Sequence, residues 1–446
     1  MSEKQNIRKK STVRHTRAIQ RDRIKRPVST PIDEQVKERL TELVHPATLA
    51  QVGYFHSLGL RARSLSLVVM VAFVLEMIWR QISGVCEMTR IVQKEAILWA
   101  SPVKVSQQGL SDRLTSLPAE LFSKVLMEVI PVAQQRWQER QRPLLPEIAW
   151  ALEQYNGAYV VDGSTLDALI RKIGLLKDLP NHPLAGRMTA LLNLGSLLPA
   201  QIWYEEDPHA HDQRFWTQIL TALPVGALLI FDMGYINFTV FAELTLQKKR
   251  LITRAKKNLA YEYDSSIVES PNVRDRVVWV GQGEERQQLR LVEVLYRGKW
   301  YRYLTNELDP ERLPTAYVVA LYWRRWRIED AYGIVKRLLG LAYFWCGAQN
   351  AIQLQVWATW LLYIVLVDLT DAVAEALHLP FADISIEMVY RSLYFFTQAR
   401  QRGETNDVVA YLAQEAKLLG IIKRKRKLAK PDPLSLVKSL TVQGLP

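Results

Sequence analysis

The chain has 446 residues, with 58 Lys plus Arg against 45 Asp plus Glu and a formal charge of +13 at pH 7. At 49% hydrophobic, 23% charged and 9% aromatic residues it falls in the globular range, which excludes a disordered, collagen-like or disulfide-framed protein; the basic excess points to a polyanionic partner. Cys86 and Cys346 are too isolated for a disulfide framework or a Cys-based zinc site and fit a reducing, cytoplasmic setting.

Taken in chain order, residues 1–30 are basic and polar. They carry Lys4, Arg8, Lys9, Lys10, Arg14, Arg17, Arg21, Arg23, Lys25 and Arg26 with no apolar stretch of the kind a secretory signal needs. So little apolar surface predicts a tail that orders only on binding. Residues 31–145 repeat apolar side chains at helical spacing, as in Leu110, Leu114, Leu117, Leu121, Val125 and Leu126, and predict a helical domain assigned to DNA binding. Within it, the segment 106–114 with Gly109 and Ser111 reads either as a helix-turn-helix with Ser111 as N-cap or as an ordinary helix start, the latter favoured by turn chemistry. The apolar stretches 65–75 and 356–367 meet Glu76 and Arg80 in one case, and Gln353, Gln355, Asp368 and Asp371 in the other. Each falls short of the roughly 20 apolar residues of a spanning helix, so both read as buried helices and no membrane is expected.

Past Pro143 and Pro146 the pattern changes. Short apolar runs at 158–161, 198–204 and 227–231, with 251–253 as a further strand, alternate with helical patterns at 212–223 and 238–246, which predicts an α/β sheet over 146–255. Residues 256–310 are strand-rich again, at 276–280, 288–295 and 300–304, and read as a β-rich insertion. Helices return in 311–345 and in a carboxy-terminal region, 346–446, that ends with the basic run Lys423 to Lys427.

Two predicted strands end in a carboxylate with a glycine close behind: Asp162 with Gly163, and Asp232 with Gly234. A carboxylate at a buried strand end is costly unless paired or metal-bound, although an Asp there is as often a simple turn or cap residue. A third segment, 322–336, reads as one helix. Tyr322, Arg325, Glu329 and Lys336 would share an arc of about 60° at the α-helical turn angle, opposite an apolar stripe of Ala331, Ile334, Val335 and Leu338. Such a face is either a solvated one with an Arg325–Glu329 pair or a phosphodiester-binding one, with Glu for a metal, Arg and Lys for phosphate oxygens and Tyr for a hydroxyl contact.

The spacing Tyr-x2-Arg-x3-Glu-x6-Lys at Tyr322, Arg325, Glu329 and Lys336, with Asp162-Gly-Ser and Asp232-Met-Gly-Tyr235 on strand ends, resembles the bacterial insertion-sequence DDE transposases with the Tyr-Arg-Glu-Lys signature. The likeness covers roughly 159–336 and extends through Arg254 and the stretch 304–306 that flank the insertion. The acids stand 70 and 97 residues apart. Here the first motif carries Ser164 followed by Thr165, which leaves open which hydroxyl takes the family's role.

The resemblance implies an α/β, ribonuclease-H-like mixed-sheet core, interrupted by the β-rich insertion and flanked by helical amino- and carboxy-terminal regions. Asp162, Asp232 and Glu329 would be catalytic and hold two Mg2+ ions, with Mn2+ able to substitute, while Tyr322, Arg325, Lys336 and Arg254 bind DNA. Two metals about 3.5–4 Å apart activate the attacking oxygen and stabilise the leaving one, so one centre could nick an element end and then join its 3′ hydroxyl to a target. The implied partners are terminal inverted repeats, target DNA and a second copy in a homodimer, formed through helices such as 352–377. Localisation follows as cytoplasmic, nucleoid-associated on DNA.

The alternative is a domesticated or inactive descendant that binds DNA without cutting it; all three acids are present, whereas that reading would be marked by a broken triad. A membrane-associated protein is a third reading. His209 and His211 beside Glu205, Glu206 and Asp207 read as a polar loop rather than a metal cluster. Trp279, Trp300 and Tyr301 read as core aromatics or as stacking groups for an extruded base. Asp167 and Asp330 neighbour candidate residues, with Asp330 about 100° off the Glu329 face.

Overall fold

The computed structural model describes residues 34–423, apart from 62, 83, 168–183, 297, 342–343 and 346–347. The basic amino-terminal tail, Cys346 and the basic run beyond Lys423 lie outside the described residues. The chain divides into two compact units, one of 1–129, 166–185 and 332–365, the other of 130–165, 186–331 and 366–446.

The described part of the first unit is helical apart from strand residues at 166–167 and 184–185. It holds α1 (Glu34–Ala50), α2 (Val52–Ser57), α3 (Leu67–Trp79), α4 (Val85–Lys94), α5 (Gln107–Ser116) and the start of α6 (Glu120–Glu139). In α3 an apolar run closed by Glu76 at its far end is buried throughout the stretch Met70–Trp79, as a helix apolar all round must be. Burial pushes Glu76 up to about 7, and its nearest cation is Arg80 at 3.5 Å. The 106–114 segment corrects an expectation. Ser106, not Ser111, caps α5 by accepting from Gly109 N at 3.0 Å, so Gly109 lies inside the helix and the segment is an ordinary helix start. A Ser hydroxyl satisfies one of the four orphan N–H groups of a helix start only from the position preceding it, which Ser111 does not occupy.

The second unit is built on a nine-stranded sheet in the order β3-β2-β1-β4-β5-β9-β8-β7-β6. Its first strands are β1 (Ala158–Asp167), β2 (Leu184–Asn193), β3 (Pro199–Glu205), β4 (Leu228–Phe231) and β5 (Arg250–Arg254). β1, β4 and β5 are parallel neighbours. β4 is buried at every position, as a central strand covered on both faces must be. Helix α7 (Pro146–Gln154) precedes β1, while α8 (Trp216–Ala222) and α9 (Phe238–Leu246) lie between strands in sequence, and Phe231, Tyr235, Trp216 and Phe241 close an aromatic core beneath β4.

The 256–310 region does not stand apart as a separate sheet. β6 (Glu262–Glu269), β7 (Val273–Val280), β8 (Gln287–Tyr296) and β9 (Lys299–Thr305) continue the same sheet, because β9 pairs antiparallel with β5. Arg290 on β8 and Asp275 on β7 form a fully buried ion pair, which Thr315 Oγ1 joins at 2.6 Å and Leu313 O at 2.6 Å. This clamps the added strands to the start of α10 (Thr315–Arg324).

Beyond α10 come α11 (Arg327–Gly333), a π-helical segment Ile334–Leu338, α12 (Gln349–Ala376), α13 (Ile386–Gln401) and α14 (Val408–Gln414). α12 is long and apolar enough to cross a membrane, but 94% of its most apolar window is buried inside the protein, as expected for a core helix. That burial removes most of 352–377 as a surface for a second copy. Asp368 and Asp371 on α12 are met by Arg140 at 2.5 and 3.1 Å and by Arg142 at 2.5 Å.

Candidate active site

Asp162 and Asp232 stand side by side, but only Asp232 follows the end of its strand: β1 runs on past Asp162 to Asp167, where the sequence pattern predicts a strand ending at Asp162. β1 and β4 pair Ala158 with Leu228 and Val160 with Ile230, and continuing that register by two residues sets Asp162 beside Asp232. Each carboxylate is turned onto its own backbone: Asp162 Oδ1 accepts from Gly163 N at 2.9 Å and Asp232 Oδ1 from Gly234 N at 2.8 Å. Asp232 caps a short 3-10 turn whose Tyr235 is fully buried and accepts from Trp216 Nε1 through its carbonyl at 3.2 Å. Thr253 on β5 donates to the Asp232 carbonyl at 3.2 Å. An apolar strand thus delivers the acid, and a buried tyrosine three residues on anchors the turn that follows it.

The expected single helix over 322–336 is not what forms. α10 ends at Arg324 and α11 starts at Arg327, and across the join Arg325 N, Ile328 N and Glu329 N bond to carbonyls only three residues back, at 3.0 to 3.1 Å. The side chains there are anchored in different directions: Trp323 Nε1 on Tyr303 Oη at 3.0 Å, Arg324 Nε on Glu147 at 2.6 Å, Arg325 on Asp162 and Arg327 on the Leu194 carbonyl at 3.4 Å. A 3-10 turn, tighter than an α turn, accommodates these contacts where a uniform α-helix would spread the side chains by 100° steps. The apolar stripe is as expected, with Ala331, Ile334, Val335 and Leu338 all buried. Lys336 falls in the π-helical segment, is half-buried and belongs to the first unit.

Arg325 joins the two sources of acid. Its Nη1 lies 2.9 Å from Asp162 Oδ2 and its Nη2 3.7 Å from Glu329 Oε1, with 8% of the arginine side chain and 47% of the glutamate exposed. Burial pushes Asp162 up to about 6; Arg325 pulls it down, while the neighbouring charges of Asp232 and Asp212 add to the rise. Burial likewise raises Glu329 against the pull of Arg325, with Asp330 and Asp232 adding. Burial works to lower Arg325, but the Tyr322 hydroxyl and the Asp162, Asp232 and Glu329 carboxylates outweigh it and hold the guanidinium charged. Tyr322 is raised by burial beside Arg325 and Arg254, and its ring sits 5.1 Å from that of Tyr303. Arg254, at the end of β5, lies over Tyr301 at 5.9 Å. So Asp162, Asp232, Glu329, Tyr322, Arg325 and Arg254 all gather in the second unit.

Among the described residues no three His, Cys, Asp or Glu side chains close into a ready metal group, and Arg325 is the cation nearest two of the three acids. The donor set is all carboxylate, the hard-oxygen chemistry that magnesium takes. The His209–His211 segment is a polar loop, with Arg214 within 3.8 Å of Glu205 and 3.6 Å of Asp207. Trp279 and Trp300 are half-buried under Arg286 at 4.6 Å and Arg274 at 4.5 Å, and Tyr301 is half-buried with Lys299 at 5.6 Å.

Two residues of the site escape sequence reasoning, Arg187 on β2 and Asp212 on the 3-10 turn before α8, which form an ion pair. The one signal for them is the glycine after each aspartate. A Cβ on Gly163 would lie 2.5 Å from Asp212 Oδ1, and one on Gly234 would lie 3.1 Å from Asp212 Oδ2, so both glycines mark the close approach of a carboxylate that the sequence does not identify.

Residues 186–365 match the model of the transposase DDE domain family; the stretch contains Asp232 and Glu329, with Asp162 upstream of it. A Sinorhizobium fredii protein named as a candidate transposase is 26% identical over 175 residues, covering 36% of this chain and 47% of that protein. A Synechocystis protein named as a candidate transposase for insertion sequence element IS4SA is 20% identical over 161 residues, covering 35% of this chain and 45% of that protein. The chain spans about half the length of the curated relatives it matches. Over residues 186–365, which span β2 to β9 and the helices from α10 into α12, the chain is similar to transposase DDE domains, and over stretches of 175 and 161 residues it is similar to proteins named as candidate transposases, one of them for an insertion sequence element.

Proposed function

We propose that this protein is a DNA transposase of the Tyr-Arg-Glu-Lys signature class, with a ribonuclease-H-like core, that cleaves and joins DNA at the ends of its insertion sequence. The observation that carries the reading is the adjacency of Asp162, within β1, and Asp232, just past the end of the parallel strand β4, with Glu329 linked to Asp162 by the shared Arg325. In this reading the three carboxylates are the catalytic acids and would hold Mg2+, or Mn2+ in its place. Bound there, the two ions would supply Lewis-acid activation of a phosphodiester and of the oxygen that attacks it.

The chain's own residues do the rest. Arg325 balances the acids before DNA arrives, and its planar fork can bind a phosphate oxygen. Tyr322 stays protonated, since burial raises it, and so offers a hydroxyl donor. Arg254 and Lys336 would contact the DNA backbone, which positions DNA without reading its sequence. The net charge of +13 suits binding to both the terminal repeats and a target. We further propose a homodimer in the complex of paired ends and a cytoplasmic, nucleoid-associated location. The helical amino-terminal residues, 31–145, would bind the repeats.

The test is a supercoiled plasmid carrying the gene's native flanking DNA, incubated with the full chain and Mg2+, with a chelator control. Cleavage confined to the element boundary and abolished by chelator is expected. Specific binding to the flanks with no cutting in Mg2+ or Mn2+ would overturn the enzyme and leave a DNA-binding descendant.

A further inference from the structure

We infer that Arg187 and Asp212 are a positioning pair that fixes the separation of the two aspartates. The inference rests on the reading of Asp162 and Asp232 as metal ligands. Asp212 is seated between Gly163 on β1 and Gly234 in the turn after β4. One of its oxygens faces Gly163, where a Cβ would come within 2.5 Å, and the other faces Gly234, where a Cβ would come within 3.1 Å of Asp212 and 3.0 Å of Asp232 Oδ1. The β1 backbone at Gly163 and the turn at Gly234 cannot close on each other without displacing this carboxylate.

Asp212 is itself held. It pairs with Arg187 on β2, whose side chain is 16% exposed against 21% for Asp212. Arg187 Nε is buried with no hydrogen-bond partner among the described residues and would lie 2.8 Å from a Cβ on Gly163. The guanidinium is therefore packed against β1 at Gly163, with its fork spent on Asp212. The Asp212 segment is also tied to the Asp232 turn. His211 Nδ1 accepts from Gln213 N at 3.3 Å, and Gln213 Nε2 donates to Ile236 O at 3.0 Å. Residues 187 and 212 thus link β2, the middle of β1 and the turn after β4.

A pair that only balances charge and a pair that positions ligands predict opposite results. Removing the Arg187 charge leaves the acids more negative, which alone would tighten cation binding; loss of positioning loosens it. The experiment titrates Mn2+ into the full chain without DNA, followed by electron paramagnetic resonance, beside a thermal melt. For Arg187→Gln, the expected result is Mn2+ binding weakened by about tenfold or more, the scale on which outer groups tune metal sites. Gly234→Ala, which alters no charge, is expected to weaken it similarly and keeps the test open if Arg187→Gln does not fold. Unchanged or tighter Mn2+ binding in folded Arg187→Gln, or unchanged binding in Gly234→Ala, would overturn the inference. Asp162→Asn separates the two levels. If it leaves the titration unchanged, the ligand reading itself fails; if it abolishes binding while the other two variants bind as wild type, only the positioning role fails.

Discussion

Arg325 Nη1 donates to Asp162 Oδ2 at 2.9 Å across a sequence separation of 163 residues. With 8% and 17% of their side chains exposed, the two charges are nearly desolvated. A buried pair of this kind gives little net stability but is costly to break, because the partner left behind is an uncompensated charge. Arg325→Ala is therefore expected to lose about 3–5 kcal/mol in urea unfolding. Adding Asp162→Asn should recover part of that loss without restoring DNA cleavage; full additivity of the two losses would show that the residues are uncoupled.

Asp162 also gives stability a pH dependence of definite sign. Burial raises it from 3.8 to about 6, so between about pH 4 and 6 the folded chain keeps a proton that the unfolded chain has released. Its contribution to stability is full below the unfolded value and is lost as pH rises through the folded one. Asp162→Asn should therefore gain on wild type by about 1–2 kcal/mol between pH 4.5 and 6.5, somewhat less than a two-unit shift allows. Urea midpoints at the two pH values check this, and a difference that does not change with pH would contradict burial as the cause. Metal binding should weaken as pH falls through the same window, because the protonated acid is no ligand.

Asp275 and Arg290 form the other buried pair, both with no side-chain exposure, and they join the β6–β8 strands to α10. Asp275→Ala leaves a guanidinium buried with only Leu313 O and Thr315 Oγ1 as partners. A loss of about 3–5 kcal/mol is expected. Replacing both residues with apolar ones of similar volume should be much milder, and denaturation of the single and double variants measures the difference.

The parts of this architecture written in local pattern are legible in the sequence. The helix Phe238–Leu246 and the strand Leu228–Phe231 lie where their apolar residues put them, and Asp232 directly follows its strand as expected, whereas β1 continues past Asp162 to Asp167. Features set by distant partners are not. β6 lies at the sheet edge with most positions exposed, so it carries no apolar alternation to detect. The break at Arg325 comes from tertiary anchors that override helical periodicity. Arg187 on β2 and Asp212 on the 3-10 turn before α8 meet only in the folded chain, a neighbour relation that no motif in either segment encodes.

The most direct measurement is strand transfer from a pre-cleaved element end with a free 3′ hydroxyl into target DNA, with binding of that end followed in parallel. Asp162→Asn, Asp232→Asn and Glu329→Gln should each keep end binding within a few-fold of wild type. Each should lose transfer by at least about 100-fold, as removal of a group that acts in the transition state does. Transfer at the wild-type rate by any one of the three would contradict the account of a shared acidic centre.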